Sequence, residues 1–154
     1  MIKENGLKSL LSVTLLSLIA ISLVMFFVYQ KRFIGLILIL IGFLHLLVLK
    51  MFGVDIKSLW PDMVFGIIDN SFLVIGAIIG ADFAGVFGAI IGGAVGNAIT
   101  DGYGGIFESW TAEYLRKHNI KEKRTALSSA LGKMAGCFFG AGVVLVIAWT
   151  VFSL

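Results

Sequence analysis

The sequence predicts an all-α polytopic integral membrane protein of about five transmembrane helices packed through glycine-rich faces. Of its 154 residues, 59% are hydrophobic and 14% are charged, whereas a soluble domain carries about a quarter charged residues. The mean hydropathy is +1.04, and the apolar residues form runs long enough to cross a bilayer. Nineteen glycines and one proline are typical of closely packed membrane helices.

Residues 1–52 are predicted to form an N-terminal transmembrane hairpin. After a short polar start, Leu10 to Tyr29 carries no charge and can cross an apolar core of about 30 Å. Lys31 and Arg32 supply the turn, and Phe33 to Leu49 is the second run. Because no cleavage pattern of small residues follows the first run, we expect a retained helix and not a secretory signal.

Residues 53–62 are predicted to be an interfacial connector. Trp60 suits the membrane–water boundary, and Pro61 suits the first turn of the next helix. The core then covers residues 63–154, beginning with a third helix from Met63 to Ala81. We expect a tight turn at residues 80–82 and a fourth helix that starts near Phe83.

The fourth helix is expected to stay apolar through Thr100 and to loosen or break at residues 101–105, where glycines cluster. Residues 106–124 read as an amphipathic and basic cytoplasmic segment, and the last helix as residues 126–154. Glycines repeat every four residues on three of these helices, and such faces let helix backbones approach closely in lipid. The predicted packing glycines are Gly76, Gly80, Gly88, Gly92, Gly96, Gly132, Gly136 and Gly140.

The distribution of lysine and arginine predicts a cytoplasmic N-terminus and an outer C-terminus. This orientation keeps most basic residues inside, including the run from Arg116 to Arg124. We expect a plasma or inner membrane. The net charge of +3 is too small and dispersed to indicate nucleic acid, and suits contact with membrane lipids.

Polar side chains inside the apolar segments mark the candidate site, because a charge in the bilayer needs a partner or a water-filled cavity. The topology puts Asp69, Asp101, Glu108 and Lys133 at similar depth. In one interpretation, the carboxylates and the amides of Asn97 and Asn70 supply oxygen ligands to a divalent metal ion, with Lys133 as counter-charge. In the other, Asp69 and Lys133 form a structural ion pair while Asp101 and Glu108 are interfacial.

Within about residues 67–140, Asp69 is followed by Gly76 and Gly80, and residues 112–115 read Ala-Glu-Tyr-Leu. This part of the chain resembles the vacuolar iron transporter family, which has the same aspartate–glycine spacing and a Gly-Glu-Tyr-Leu motif. Residues 123–136 are similar to the opening of that family's next helix. The resemblance implies a dimeric antiporter-type carrier of iron or manganese, with Asp69 and Glu113 on the ion path. The family's glutamate-rich insertion and Ser-Met pair are absent, and two helices precede the core.

Three function classes remain after these observations. The first is a carrier or channel for a small divalent cation that acts as a homo-oligomer, because five helices are few for a pore. The second is an accessory subunit that binds a larger membrane protein through its glycine faces. The third is a lipid-directed enzyme, which no catalytic motif supports, so we expect a protein that is not an enzyme.

Overall fold

The computed structural model describes residues 2–29, 33–54, 56–118 and 125–152. Within these ranges the chain forms α1 (Ile2–Phe27), α2 (Ile34–Met51), a short 3-10 helix (Ile56–Leu59), α3 (Trp60–Lys117) and α4 (Ala126–Val151), with no strand. All four α-helices in this part are long and apolar enough to cross a membrane. The predicted all-α class is therefore confirmed.

Several predicted boundaries were wrong. The first helix begins at Ile2 and includes the polar start, and α3 begins at Trp60 within the predicted connector. Other features lie outside the described residues: the Lys31–Arg32 turn, the basic residues Lys121, Lys123 and Arg124, and the C-terminal Leu154.

The long helix α3 is divided by a reversal of the chain at Ala84 and Gly85. Ala84 leaves helical geometry, with φ −146° and ψ 26°, and Gly85 has φ 56° and ψ −137°. A positive φ is accessible to glycine because it lacks a Cβ. We call residues 60–83 the first arm and residues 86–117 the second arm. The turn predicted at residues 80–82 was therefore too early, and residues 101–105 continue the helix without the predicted break.

The two arms run antiparallel and touch through glycine. A Cβ at Gly76 would overlap the carbonyl of Gly92, and a Cβ at Gly80 would overlap the carbonyl of Gly88. Farther along, a Cβ at Gly96 would stand 2.6 Å from the Phe72 carbonyl oxygen. Each of these positions has room for the hydrogen of glycine but not for a methyl group, because real Cβ atoms do not come within 3.0 Å of backbone atoms of another segment.

Helix α4 packs beside the first arm and runs parallel to it. A Cβ at Gly136 would overlap the backbone of Met63, and one at Gly140 would overlap the backbone of Ile67. A Cβ at Gly132, at the start of α4, would lie 3.3 Å from the Cβ of Leu59, which is a tight contact, and 3.5 Å from the Cβ of Asp62. The first arm is therefore held between the second arm and α4.

Helix α2 covers the other side of α4. Gly35 lies against the backbone of Gly142, and Gly42 lies against the ring of Phe139. These pairings make α2 antiparallel to α4, so the C-terminal end of α2 lies at the same end of the bundle as Trp60. The N-terminal hairpin thus packs on the core.

The end of the bundle at Trp60 contains the fully buried leucine cluster. Leu49, Leu59 and Leu131 are each 0% exposed and pack with Leu16. The predicted connector therefore carries a core residue at Leu59 as well as the half-exposed Trp60.

The start of α4 at this same end is fixed by hydrogen bonds. Thr125 Oγ1 accepts from the Ser128 backbone N–H at 3.1 Å, and Ser128 Oγ accepts from the Thr125 backbone N–H at 2.8 Å. This capping box satisfies two backbone groups that a helix start otherwise leaves open. Ser129 Oγ donates to Asp62 Oδ1 at 2.8 Å, which ties the start of α4 to the start of α3.

Candidate functional site: a buried carboxylate between the arms of α3

Asp69 is a buried carboxylate in the first arm, and its hydrogen-bond donor comes from the second arm. Its side chain is 7% exposed, and that of Thr100 is 3% exposed. Thr100 Oγ1 donates to Asp69 Oδ1 at 2.6 Å. The same hydroxyl oxygen also lies 2.9 Å from the Asn97 carbonyl oxygen and 3.2 Å from that of Gly96.

The close glycine contacts explain why these two side chains meet. Gly96 lies one turn before Thr100 and contacts Phe72, which is near Asp69 on the first arm. Because glycine lets the arm backbones approach, short side chains such as Thr and Asp reach each other directly. Asp69 also follows Trp60 by nine residues, which is about 14 Å along an arm about 35 Å long. The hydrogen bond therefore lies well inside the apolar length of the arm.

Lys133 does not form the predicted ion pair with Asp69. Its Nζ lies 4.0 Å from the centroid of the Phe65 ring, a cation–π geometry. Phe65 precedes Asp69 by one helical turn, so Lys133 lies near the carboxylate without bonding it. The structural interpretation of a direct Asp69–Lys133 pair was wrong, and Thr100 is the observed partner.

A cavity of about 210 Å³ between the arms reaches Thr100. It is bordered by Phe65 and Ile68 of the first arm and by Thr100, Tyr103 and Phe107 of the second arm. These residues extend from Thr100 toward the bundle end that holds Trp60. Apart from Thr100 and Tyr103, the residues that border it are apolar or glycine.

Asn97 and Asp101 form a separate polar pair on the second arm. Asn97 Nδ2 donates to Asp101 Oδ2 at 2.9 Å, and the pair is exposed. On a helix of 3.6 residues per turn, Asp101 lies well away from the face that carries Gly92 and Gly96. Asp101 therefore points away from Asp69, although Thr100 is its neighbour in sequence.

The remaining predicted ligands, Glu108 and Glu113, lie near the C-terminal end of the second arm. Glu108 is exposed, and Glu113 is half exposed and pairs with Lys117 at 2.8 Å. Among the described side chains, no three His, Cys, Asp or Glu groups are close enough to share a metal ion. One copy of the chain thus distributes Asp69, Asn97, Asp101, Glu108 and Glu113 over three places, and their role as a joint metal site stays a prediction.

His45 is the buried polar residue of α2. It is 1% exposed, and its Nδ1 donates to the Ile41 carbonyl oxygen at 2.8 Å. Nε2 has no hydrogen-bond partner, and the ring lies 5.2 Å from that of Phe138, centroid to centroid. The local hydrogen bond holds the imidazole inside the α2–α4 contact, away from Asp69.

Thr100 is the site residue that the sequence interpretation missed. It stands one turn after Gly96 on the same face as the packing glycines, and a hydroxyl in that row was the available signal. None of the protein-family models, curated proteins or solved structures compared with this chain matches it. The resemblance to vacuolar iron transporters accordingly stays a prediction, and the site rests on its geometry.

Proposed function

We propose that this chain is an integral membrane carrier or channel for a small divalent cation and that it acts as a homo-oligomer, with Asp69 on the ion path. The observation that carries the proposal is the buried Asp69 carboxylate, whose hydrogen-bond partner is the neutral Thr100 hydroxyl. The hydroxyl occupies only one of the carboxylate's acceptor positions, so further oxygen lone pairs remain to bind a cation. Thr100 adds a second oxygen, and hard cations such as Mg²⁺, Ca²⁺ and Mn²⁺ take oxygen ligands.

Lys133 has a defined part in this proposal. Its ammonium lies over Phe65, one turn from Asp69 and beside the cavity that reaches Thr100. A fixed positive charge there offsets Asp69 when no cation is bound. An entering cation meets this charge before it reaches the carboxylate, so Lys133 sets how strongly the site attracts ions.

The topology proposed with this function has five spans, because each arm of α3 is long enough to cross the bilayer. Trp60 and Trp110 then lie at one membrane face, as aromatic anchors do. With the N-terminus in the cytoplasm, that face is the cytoplasmic one. Five helices are too few for a wide pore, so two or more copies complete the path in the plasma or inner membrane.

Ion flux into liposomes tests the proposal. Purified protein is reconstituted, and uptake of Mn²⁺, Fe²⁺, Mg²⁺ and Ca²⁺ is measured. Asp69→Asn should abolish uptake while the oligomer still elutes as folded protein. Asp82→Asn, which alters an exposed carboxylate near the turn, should leave uptake unchanged. Equal uptake by the parent and Asp69→Asn would remove Asp69 from the mechanism. The iron or manganese specificity implied by the resemblance predicts faster uptake of Fe²⁺ and Mn²⁺ than of Mg²⁺ and Ca²⁺.

The alternative is an accessory subunit that packs against a larger membrane protein and transports nothing itself. The exposed Asn97–Asp101 pair favours it, because a polar pair inside a span needs a covering partner. The two functions predict different purifications from native membranes. A constant stoichiometric partner together with no uptake by the isolated chain supports the accessory role, whereas uptake by the isolated chain supports the carrier.

A further inference from the structure

The outer face of the second arm combines a polar pair with small residues. Asn97 and Asp101 are hydrogen-bonded to each other and exposed. Asp101 adjoins Thr100, so it lies at nearly the same level of the bundle as the buried Asp69. In the proposed topology this level lies deep in the bilayer. A carboxylate facing acyl chains there is strongly unfavourable, so the pair requires a polar neighbour from outside the chain.

Two small residues on the same face as the pair, Ala94 and Gly105, are exposed on the second arm. A Cβ at Gly105 would meet nothing within 4 Å. By contrast, Gly88, Gly92, Gly96 and Gly104 on the same arm all contact the first arm. Glycine in a helix interior is destabilising, so a glycine at 105 without an internal contact suits an approach by another helix.

We infer that this outer face, formed by Ile90, Ala94, Asn97, Asp101 and Gly105, is the surface through which two copies of the chain associate. The inference rests on the homo-oligomer of the proposed function and identifies its interface. A two-fold axis along the membrane normal brings the same residues of both copies together at one depth. The polar pair then meets an identical polar pair.

A second copy matches the unused hydrogen-bonding capacity of this pair. Asn97 Nδ2 has two N–H groups and donates one to Asp101 of its own chain. The other can be donated to Asp101 of the second copy, and symmetry provides the reciprocal bond. A phospholipid head group lies at the membrane surface and does not reach this level. A different membrane protein would need its own donor and acceptor at the same depth.

Cysteine cross-linking tests the interface. In a Cys137→Ala background, Ala94→Cys and Gly105→Cys are introduced singly and oxidised in native membranes. Leu40→Cys is the control, because Leu40 is 57% exposed on α2. We expect disulfide-linked dimers at one or both positions on the second arm and none at Leu40. The inference is overturned if neither position cross-links, or if both link to a different protein.

A second measurement addresses the polar pair itself. The monomer–dimer equilibrium is followed by energy transfer between labelled copies in detergent. Asn97→Ala should weaken dimerisation about tenfold for each interhelical hydrogen bond lost, and unchanged association would contradict the reciprocal bonding. Cross-linking without cation uptake would support the interface and refute the carrier. Uptake that depends on Asp69, without cross-linking on this face, would support the carrier and refute the interface.

Discussion

Two neighbouring glycines of the second arm provide a direct test of the packing between the arms. A Cβ at Gly92 would overlap the backbone carbonyl of Gly76, whereas a Cβ at Gly93 would lie 3.6 Å from the nearest atom, the Cβ of Ala77. Gly92→Ala therefore forces the arms apart, and Gly93→Ala makes an ordinary contact. Both changes replace glycine by alanine in the same helix, so their effects on helix propensity are nearly equal.

The magnitude follows from these contacts. Relief of a backbone overlap costs about 1–3 kcal/mol, the range for overpacking, and the upper half applies because neither backbone has a flexible side chain to displace. The gain in helix propensity is at most about 1 kcal/mol. We expect Gly92→Ala to lower the free energy of unfolding by about 1–2 kcal/mol, and Gly93→Ala to leave it unchanged or raise it by up to about 1 kcal/mol.

Reversible unfolding in mixed micelles, with SDS as the denaturant, measures this difference by circular dichroism. Because the two alanine variants share a host helix, the gap between their midpoints isolates the overlap with Gly76. Equal stability of Gly92→Ala and Gly93→Ala would mean that the arms are not in the described contact. The Asp69–Thr100 hydrogen bond depends on the same contact and would then lose its basis.

Two further predictions follow from the pairing of the arms. Thr100→Val keeps the side-chain shape but removes the donor to Asp69, so it should lower the free energy of unfolding by about 1–3 kcal/mol. Thr100→Ser keeps the donor and should retain most of the stability. An equal loss of stability in both variants would argue against the hydrogen bond. The antiparallel arms bring Trp60 and Trp110 to one end of the bundle. In variants with a single tryptophan, brominated lipids labelled near the head group should therefore quench the fluorescence of both alike. If one tryptophan were quenched by bromine near the head group and the other by bromine deep in the acyl chains, the arrangement would be contradicted.

Composition and charge alone predicted the helical class and the membrane character, because both depend on the overall balance of apolar and charged residues. The position of the chain reversal was harder to predict. The Gly80–Asp82 segment has a polar residue after glycine, which is a normal turn signal. In the structure Gly80 packs against Gly88 inside the helix pair, and the chain reverses at Gly85, which has a positive φ.

That displacement explains why the partner of Asp69 was missed. In an antiparallel pair of arms, moving the turn by some number of residues moves the residue opposite Asp69 by twice that number. A turn at residues 80–82 places Asp69 opposite the apolar stretch near Ala94, whereas the turn at Ala84 and Gly85 places it opposite Thr100. The sequence analysis placed Asp101 and Glu108 of the second arm and Lys133 of α4 at the depth of Asp69, and it did not consider the Thr100 hydroxyl.

The two faces of the second arm bear differently on the choice between carrier and accessory subunit. The inner face, where Gly92 and Thr100 meet the first arm, is complete within one chain, because each group there has a contact or a donor. The outer face, where Asp101 is bonded to Asn97 and still exposed, is complete only with a neighbour. A subunit that only packs against a partner has no need of a buried carboxylate on its inner face, because burying an apolar residue there costs less free energy. The buried carboxylate of the inner face is the feature that the proposed transport function explains, and the polar pair of the outer face is the feature that the proposed association of copies explains.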